Sequence, residues 1–290
     1  MKAKGYFLAC LSAVTYGTIP LFAIPLKRMD FSFDSVLFYR FLFCVLMIGT
    51  YLIYKKVSFR ITMQEGGLLL MLGLMYSCSS EFLFLGYDYM PAGVASTILF
   101  LYPVLVALIM GLGFKEKISW PVWVAIALAF LGVMTLNGGE GTAIVPLGLF
   151  IVFLSALTYA LYMVIINKSR LRIMNGIKVS FYSMVVCMIF FFCKSLLNGT
   201  FQTIPSAEAG VNLILFALVA TVISLIALVY AIQLIGSTLT SVMGSMEPLV
   251  AVIISVMLFN EPFSSNMAVG ILLIIVAVIL TVLSERLVKR

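Results

Sequence analysis

Apolar residues fill this chain in long blocks, separated by short polar connections. Ten blocks predict helices at 5–26, 35–54, 67–88, 91–113, 120–136, 146–167, 177–196, 211–233, 236–259 and 266–284. At 1.5 Å per residue each is about long enough to cross a hydrocarbon core of ~30 Å, the fifth being the shortest. The predicted fold class is an all-α integral membrane protein with ten transmembrane helices. The longest connections, near 137–146 and 197–210, leave no extramembrane domain.

Composition strengthens this picture. Of 290 residues, 63% are hydrophobic and 10% charged, whereas a soluble domain carries about 25% charged residues. The chain has no histidine, which removes histidine acid–base chemistry, Ser/His and Cys/His nucleophiles and most zinc sites. Cys10, Cys44, Cys78, Cys187 and Cys193 lie in apolar blocks without a CxxC pair and read as small hydrophobes. Lys2 and Lys4 ahead of an apolar run resemble a signal peptide. However, the run holds Pro20 and Pro25 and no small-x-small cleavage site, so it is expected to stay as the first helix.

The charges set an orientation. With the N-terminus inside, the inner segments hold Lys2, Lys4, Lys55, Lys56, Arg60, Lys115, Lys117, Lys168, Arg170, Arg172, Lys178, Arg286, Lys289 and Arg290. The outer segments hold only Lys27, Arg28 and Lys194. This asymmetry predicts both termini in the cytoplasm of a multi-pass inner-membrane protein. It also accounts for the net charge of +7 without a nucleic-acid partner.

The chain repeats itself. LSAVTY at 11–16 returns as LSALTY at 154–159, 143 positions on, and Phe38-Tyr39 meets Phe181-Tyr182 at the same offset. At offset 145, residues 91–136 align without a gap on 236–281. Ser96, Pro103, Phe114, Glu116 and Ser119 then match Ser241, Pro248, Phe259, Glu261 and Ser264. Two five-helix units follow, 1–137 and 146–284, with a basic tail at 285–290. An odd number of helices turns the second unit upside down, giving an inverted repeat.

LYPV (101–104) with FKEKIS (114–119), and MEPL (246–249) with FNEPFS (259–264), place a glutamate thirteen residues after a proline in both halves. With ten helices in two halves, the chain resembles the EamA-type branch of the drug/metabolite transporter superfamily. The resemblance covers nearly the whole chain. It implies export of amino acids and other small metabolites, by proton exchange or facilitated diffusion. Relatives that import, flip lipid-linked sugars or exchange nucleotide sugars are the alternatives. A lysine common in that family at the end of the third helix is replaced here by Gly86-Tyr87-Asp88-Tyr89.

Three charges fall at membrane depth: Arg40, Glu81 and Glu247. Such charges face a cavity or a partner, because each costs at least ~2.5–3.5 kcal/mol on insertion scales. Arg40 and Glu81 lie at similar depth, which predicts a pair that is static, that gates the outer side, or that frees Arg40 to hold a substrate carboxylate bidentately. Glu247 lies near the midplane, and its repeat mate is Tyr102. It is a candidate proton carrier, a contact for a substrate amino group, or a structural carboxyl. Pro103 and Pro248 follow these mates, and each frees a carbonyl four residues back, at Leu99 and Gly244. Two broken helices in matching positions point to a midplane site.

Tyr16, Tyr76, Tyr102, Tyr159 and Tyr230 lie within helices rather than at their ends. Each reads as packing or as a substrate contact. Ser77, Ser79, Ser80, Ser241 and Ser245 either line the same space or bond between close-packed helices. Ala125, Ala129 and Gly132 read as a packing face. The function predicted is a secondary carrier, an exporter in direction, of small amphipathic metabolites by alternating access. Its expected partners are a small-molecule substrate, the bilayer and protons, with a monomer or weak dimer as the assembly. No cofactor or metal is expected. A membrane sensor or membrane enzyme is the non-transport alternative.

Overall fold

A computed structural model describes residues 2–86, 88–89, 95, 98–136, 146–259 and 265–288. The described residues form helices and turns without a strand. In chain order the helices are α1 (Lys2–Tyr16), α2 (Ile19–Arg28), α3 (Phe33–Tyr54), α4 (Met63–Gly86), α5 (Tyr102–Leu108), α6 (Trp120–Leu136) and α7 (Pro146–Lys168). They continue with α8 (Gly176–Leu197), α9 (Ala207–Phe216), α10 (Ser224–Ile235), α11 (Ser237–Met243), α12 (Met246–Phe259) and α13 (Ser265–Val288). Wide π-turns, Ile109–Gly113 and Ala217–Ile223, extend α5 and join α9 to α10. The start of the fourth predicted block, the connection at 137–145, Tyr87, Ser96, Glu261, Ser264, Lys289 and Arg290 lie outside the described residues.

Among the described residues, six stretches are long and apolar enough to cross a membrane: Lys2–Arg28, Phe33–Tyr54, Met63–Gly86, Pro146–Lys168, Gly176–Leu197 and Ala207–Ile235. Shorter apolar helices cover 102–113, 120–135 and 268–281. Their outer faces stay apolar: Leu131, Phe150, Val269 and Leu272 are all exposed. Lipid, not water, is the solvent that suits such faces.

The first predicted helix is a correction. It is two helices, α1 and α2, meeting at a turn over Gly17-Thr18. Thr18 N–H bonds the Thr15 carbonyl at 3.3 Å, tightening the end of α1. Pro20 stands in the first turn of α2, where its missing N–H breaks no intrahelical bond. The ninth block also divides, into α11 and α12, at Gly244-Ser245. The fourth turns at Phe100-Leu101, close to 145 positions earlier. The prolines predicted to break these helices stand just past both turns.

Small residues set the packing. α4 lies on α7, α1 on α10, α3 on α8, and α6 on α13. In the first pair Ser155 Oγ donates to the Ser79 carbonyl at 2.6 Å, and in the second Ser224 Oγ donates to the Ser12 carbonyl at 3.2 Å. Thr15 and Thr158 turn their hydroxyls onto the carbonyls of Leu11 and Leu154, at 2.7 and 2.9 Å. A single residue, Gly236 at φ +85°, joins α10 to α11. That backbone strains any side chain other than glycine.

Candidate functional site

The turn before α5 sends the Tyr102 side chain inward, where it is buried. Its ring stands edge-on to Tyr159 of α7, centroids 4.8 Å apart. Tyr159 continues to Tyr76 of α4 at 6.3 Å and Tyr162 at 6.1 Å, and Tyr76 meets Tyr162 at 5.3 Å. The result is a tyrosine cluster between the two halves of the chain. Tyr162 is the member that sequence reasoning misses. Its signal is there, since a residue three positions after Tyr159 shares its helix face.

The break between α11 and α12 supplies the other side. The Gly244 carbonyl, freed by Pro248, accepts a bond from Glu247 N–H at 2.9 Å. The Tyr102 hydroxyl packs against Gly244 so closely that a Cβ there would collide with it. Tyr102 thus meets the break that precedes its mate Glu247. Glu247 is half-buried, and Tyr16, Tyr102 and Tyr159 lie within its electrostatic reach. Ser245 is buried, and its hydroxyl has no partner among the described residues.

Arg40 of α3 approaches from a third direction and is 3% exposed. Its Nε donates to Thr221 Oγ1 at 2.6 Å and its Nη2 to the Ala220 carbonyl at 3.2 Å. Both acceptors belong to the π-turn 217–223, where the widened helix leaves carbonyls available. The guanidinium carbon lies 4.5 Å from the Phe216 ring and 5.9 Å from the Tyr16 ring. The Tyr16 hydroxyl sits beside both Tyr76 and Arg40. Tyr16 is therefore within electrostatic reach of both the Arg40 guanidinium and the Glu247 carboxyl.

The predicted Arg40–Glu81 pair is not formed. Glu81 Oε2 takes a bond from Lys194 Nζ at 2.7 Å, and the same ammonium reaches Asp34 Oδ1 at 2.7 Å. Asp34 Oδ2 accepts from Thr200 Oγ1 at 2.9 Å. Arg40 has no carboxylate partner among the described residues. The reason is rotation: α8 packs against both α3 and α4 and carries Lys194 between them, while Arg40 faces the π-turn. Lys194 falls inside a predicted helix, and this is the signal in the sequence that points to it.

Double-mutant cycles on thermal unfolding in detergent test this assignment. Glu81→Gln with Lys194→Met is expected to couple by about 0.5–3 kcal/mol, and Arg40→Gln with Glu81→Gln to add within about 0.5 kcal/mol. The reverse ordering would contradict it.

The serines divide. Ser77 bonds the Gly73 carbonyl and Ser241 the Thr238 carbonyl, each within its own helix, while Ser79 meets Ser155 of the neighbouring helix. Ser80 is half-buried beside Glu81. Tyr230 leaves the cluster altogether and bonds Asn175 Oδ1 at 3.4 Å at the basic end. No three His, Cys, Asp or Glu side chains converge as metal ligands among the described residues.

The model of the EamA-like transporter family matches twice, at 3–138 and 146–283. An uncharacterized transporter, YvbV, of Bacillus subtilis is 28% identical over 68% of the chain. An uncharacterized inner membrane transporter, YedA, of Escherichia coli is 24% identical over 67%. The chain spans less than two thirds of the length of these curated relatives, 65% and 63%. One solved crystal structure superposes over 100% of both chains with a TM-score of 0.84 at 14% identity, a likeness of fold.

Proposed function

Because the chain belongs to the EamA-like transporter family, a family of multi-pass membrane proteins, we propose that it is a secondary carrier of small zwitterionic metabolites such as amino acids. The observation that carries this reading is the arrangement around Tyr16. Arg40, without a carboxylate partner among the described residues, and Glu247 both lie within its electrostatic reach. Arg40 gives two of its five N–H donors to the π-turn and lies beside the Tyr16 hydroxyl. The remaining donors suit a substrate carboxylate and Glu247 suits an ammonium, with Tyr16, Tyr76, Tyr102 and Tyr159 packing on the apolar part between them.

The carrier works by alternating access across ten spans, arranged as two inverted five-helix repeats with both termini cytoplasmic. Four observations support this. The family matches once per half. The two broken helices turn at corresponding positions of the repeat. The pair Ser12–Ser224 and the pair Ser155–Ser79 are the same contact made twice, at repeat-equivalent positions. The basic residues crowd one face. The relative from Escherichia coli named as an inner membrane transporter supports the same membrane here. Proton exchange through Glu247 is the coupling that fits a carboxyl beside a helix break, and export is the direction that the family resemblance implies.

Counterflow in proteoliposomes tests the reading, with a panel of amino acids, nucleosides and cationic drugs, each with and without a pH gradient. Exchange of a labelled zwitterion is expected, accelerated by the gradient. No flux of any solute under either condition would overturn it.

A further inference from the structure

The basic end of the bundle holds a cleft that the carrier reading does not use. One wall is the connection after α3. Lys178 Nζ donates to the Arg60 carbonyl, and the Tyr182 hydroxyl donates to the Phe59 carbonyl at 2.6 Å, so this connection is tied to α8. It ends in a capping box, where Glu65 Oε2 accepts Thr62 N–H at 2.7 Å and Thr62 Oγ1 at 3.0 Å. The other wall is the short 3₁₀ turn Arg170–Arg172 and the residues after it. Gln233 Nε2 holds this wall by donating to the Leu171 and Met174 carbonyls, both at 2.9 Å. Asn175 Oδ1 caps α8 through Ile177 N–H at 3.0 Å.

Between these fixed walls lies a cleft of about 610 Å³, lined by Val57, Ser58, Glu65, Arg170, Ile173 and Lys178 among others. Two cations face one carboxylate, and that carboxylate is occupied by its own helix cap. The Arg170 side chain makes no hydrogen bond or ion pair among the described residues, although Glu65 is within its electrostatic reach. Its planar fork is therefore open, and such a fork fits two oxygens of a phosphate at once. Ile173, 90% exposed, stands on the rim as an apolar contact. Basic pockets between helices at a membrane face suit phospholipid headgroups.

We propose that this cleft binds a phosphate oxyanion, with Arg170 as the bidentate donor and Lys178 as the second cation. The phosphate comes either from an anionic phospholipid headgroup with its glycerol over Ile173 and Val57, or from free phosphate. The site does not depend on the transport reading.

Native mass spectrometry of the full chain with phosphatidylglycerol or phosphatidylcholine tests the lipid source. Equilibrium dialysis with labelled inorganic phosphate tests the free one. Arg170→Gln is expected to cut binding about tenfold, the worth of one charge-assisted bond. Glu65→Gln should raise binding, and Arg172→Gln, in the same turn but outside the cleft lining, should leave it unchanged. Phosphatidylglycerol retention that depends on Arg170 identifies the lipid source, and phosphate binding that depends on Arg170 identifies the free one. Equal binding of both ligands by the wild type and Arg170→Gln overturns the site. So does an equal loss in Arg172→Gln, which would mean only a diffuse basic field.

Discussion

Replacing Glu247 with alanine is expected to lower exchange of a zwitterionic solute by at least about thirtyfold. A charge removed from a desolvated pair costs about 2–5 kcal/mol, because the partner is left unpaired. In the proposed carrier the partner is the substrate ammonium, and Glu247 is the carboxyl in electrostatic reach of Tyr16, Tyr102 and Tyr159 alike. Glu247→Gln separates two roles. It keeps the shape of the side chain and its hydrogen-bond acceptor while removing the charge and the exchangeable proton. Residual exchange in Glu247→Gln should be indifferent to a pH gradient. Acceleration by the gradient equal to that of the wild type would assign proton coupling elsewhere. Thermal unfolding of both variants, measured alongside, separates lost function from lost fold.

Arg40 carries the second large effect, and it is a double one. Arg40→Ala leaves the Thr221 hydroxyl and the Ala220 carbonyl without their donor, at about 1–3 kcal/mol for each buried group left unsatisfied. It also empties the space against the Phe216 ring. Arg40→Lys is not a mild change, since a compact ammonium cannot serve two diverging acceptors and a carboxylate together. Both variants should unfold at lower temperature than the wild type. In Arg40→Lys, the KM of a carboxylate-bearing solute should rise by about tenfold or more, while that of an amine lacking the carboxylate stays nearly unchanged. Equal changes for the two solutes would reduce Arg40 to a structural link between α3 and the π-turn.

How much of this arrangement is legible in the sequence depends on the coordinate asked for. Which stretches form long apolar helices is readable, because lipid forces each span to about twenty apolar residues and charges to the ends. The breaks at Phe100-Leu101 and Gly244-Ser245 are readable too. Pro103 and Pro248 remove a donor, and the repeat places them in register. Pro20 is harder, since a proline in a first turn and one in a helix interior look alike until the turn at Gly17-Thr18 is known.

Rotation about the helix axis is the coordinate that depth does not supply. Arg40 and Glu81 lie at similar heights yet turn to different neighbours, one to Thr221 and the other to Lys194. The apolar faces are poor guides, since lipid-facing and core-facing residues are equally hydrophobic in a membrane protein. The serines show the same limit. Ser79 and Ser245 read alike in sequence, but one is bonded across to Ser155 and the other has a buried hydroxyl without a partner among the described residues.

In the proposed carrier one molecule bridges Arg40 and Glu247. That bridge is tested most directly by counterflow through the wild-type protein of three matched solutes: an amino acid with an apolar side chain, its decarboxylated amine, and its deaminated acid. The zwitterion is expected to exchange at least about tenfold faster than either truncated solute, since each loses one charge-assisted contact. An amine or an acid that exchanges as fast as the parent zwitterion would contradict it.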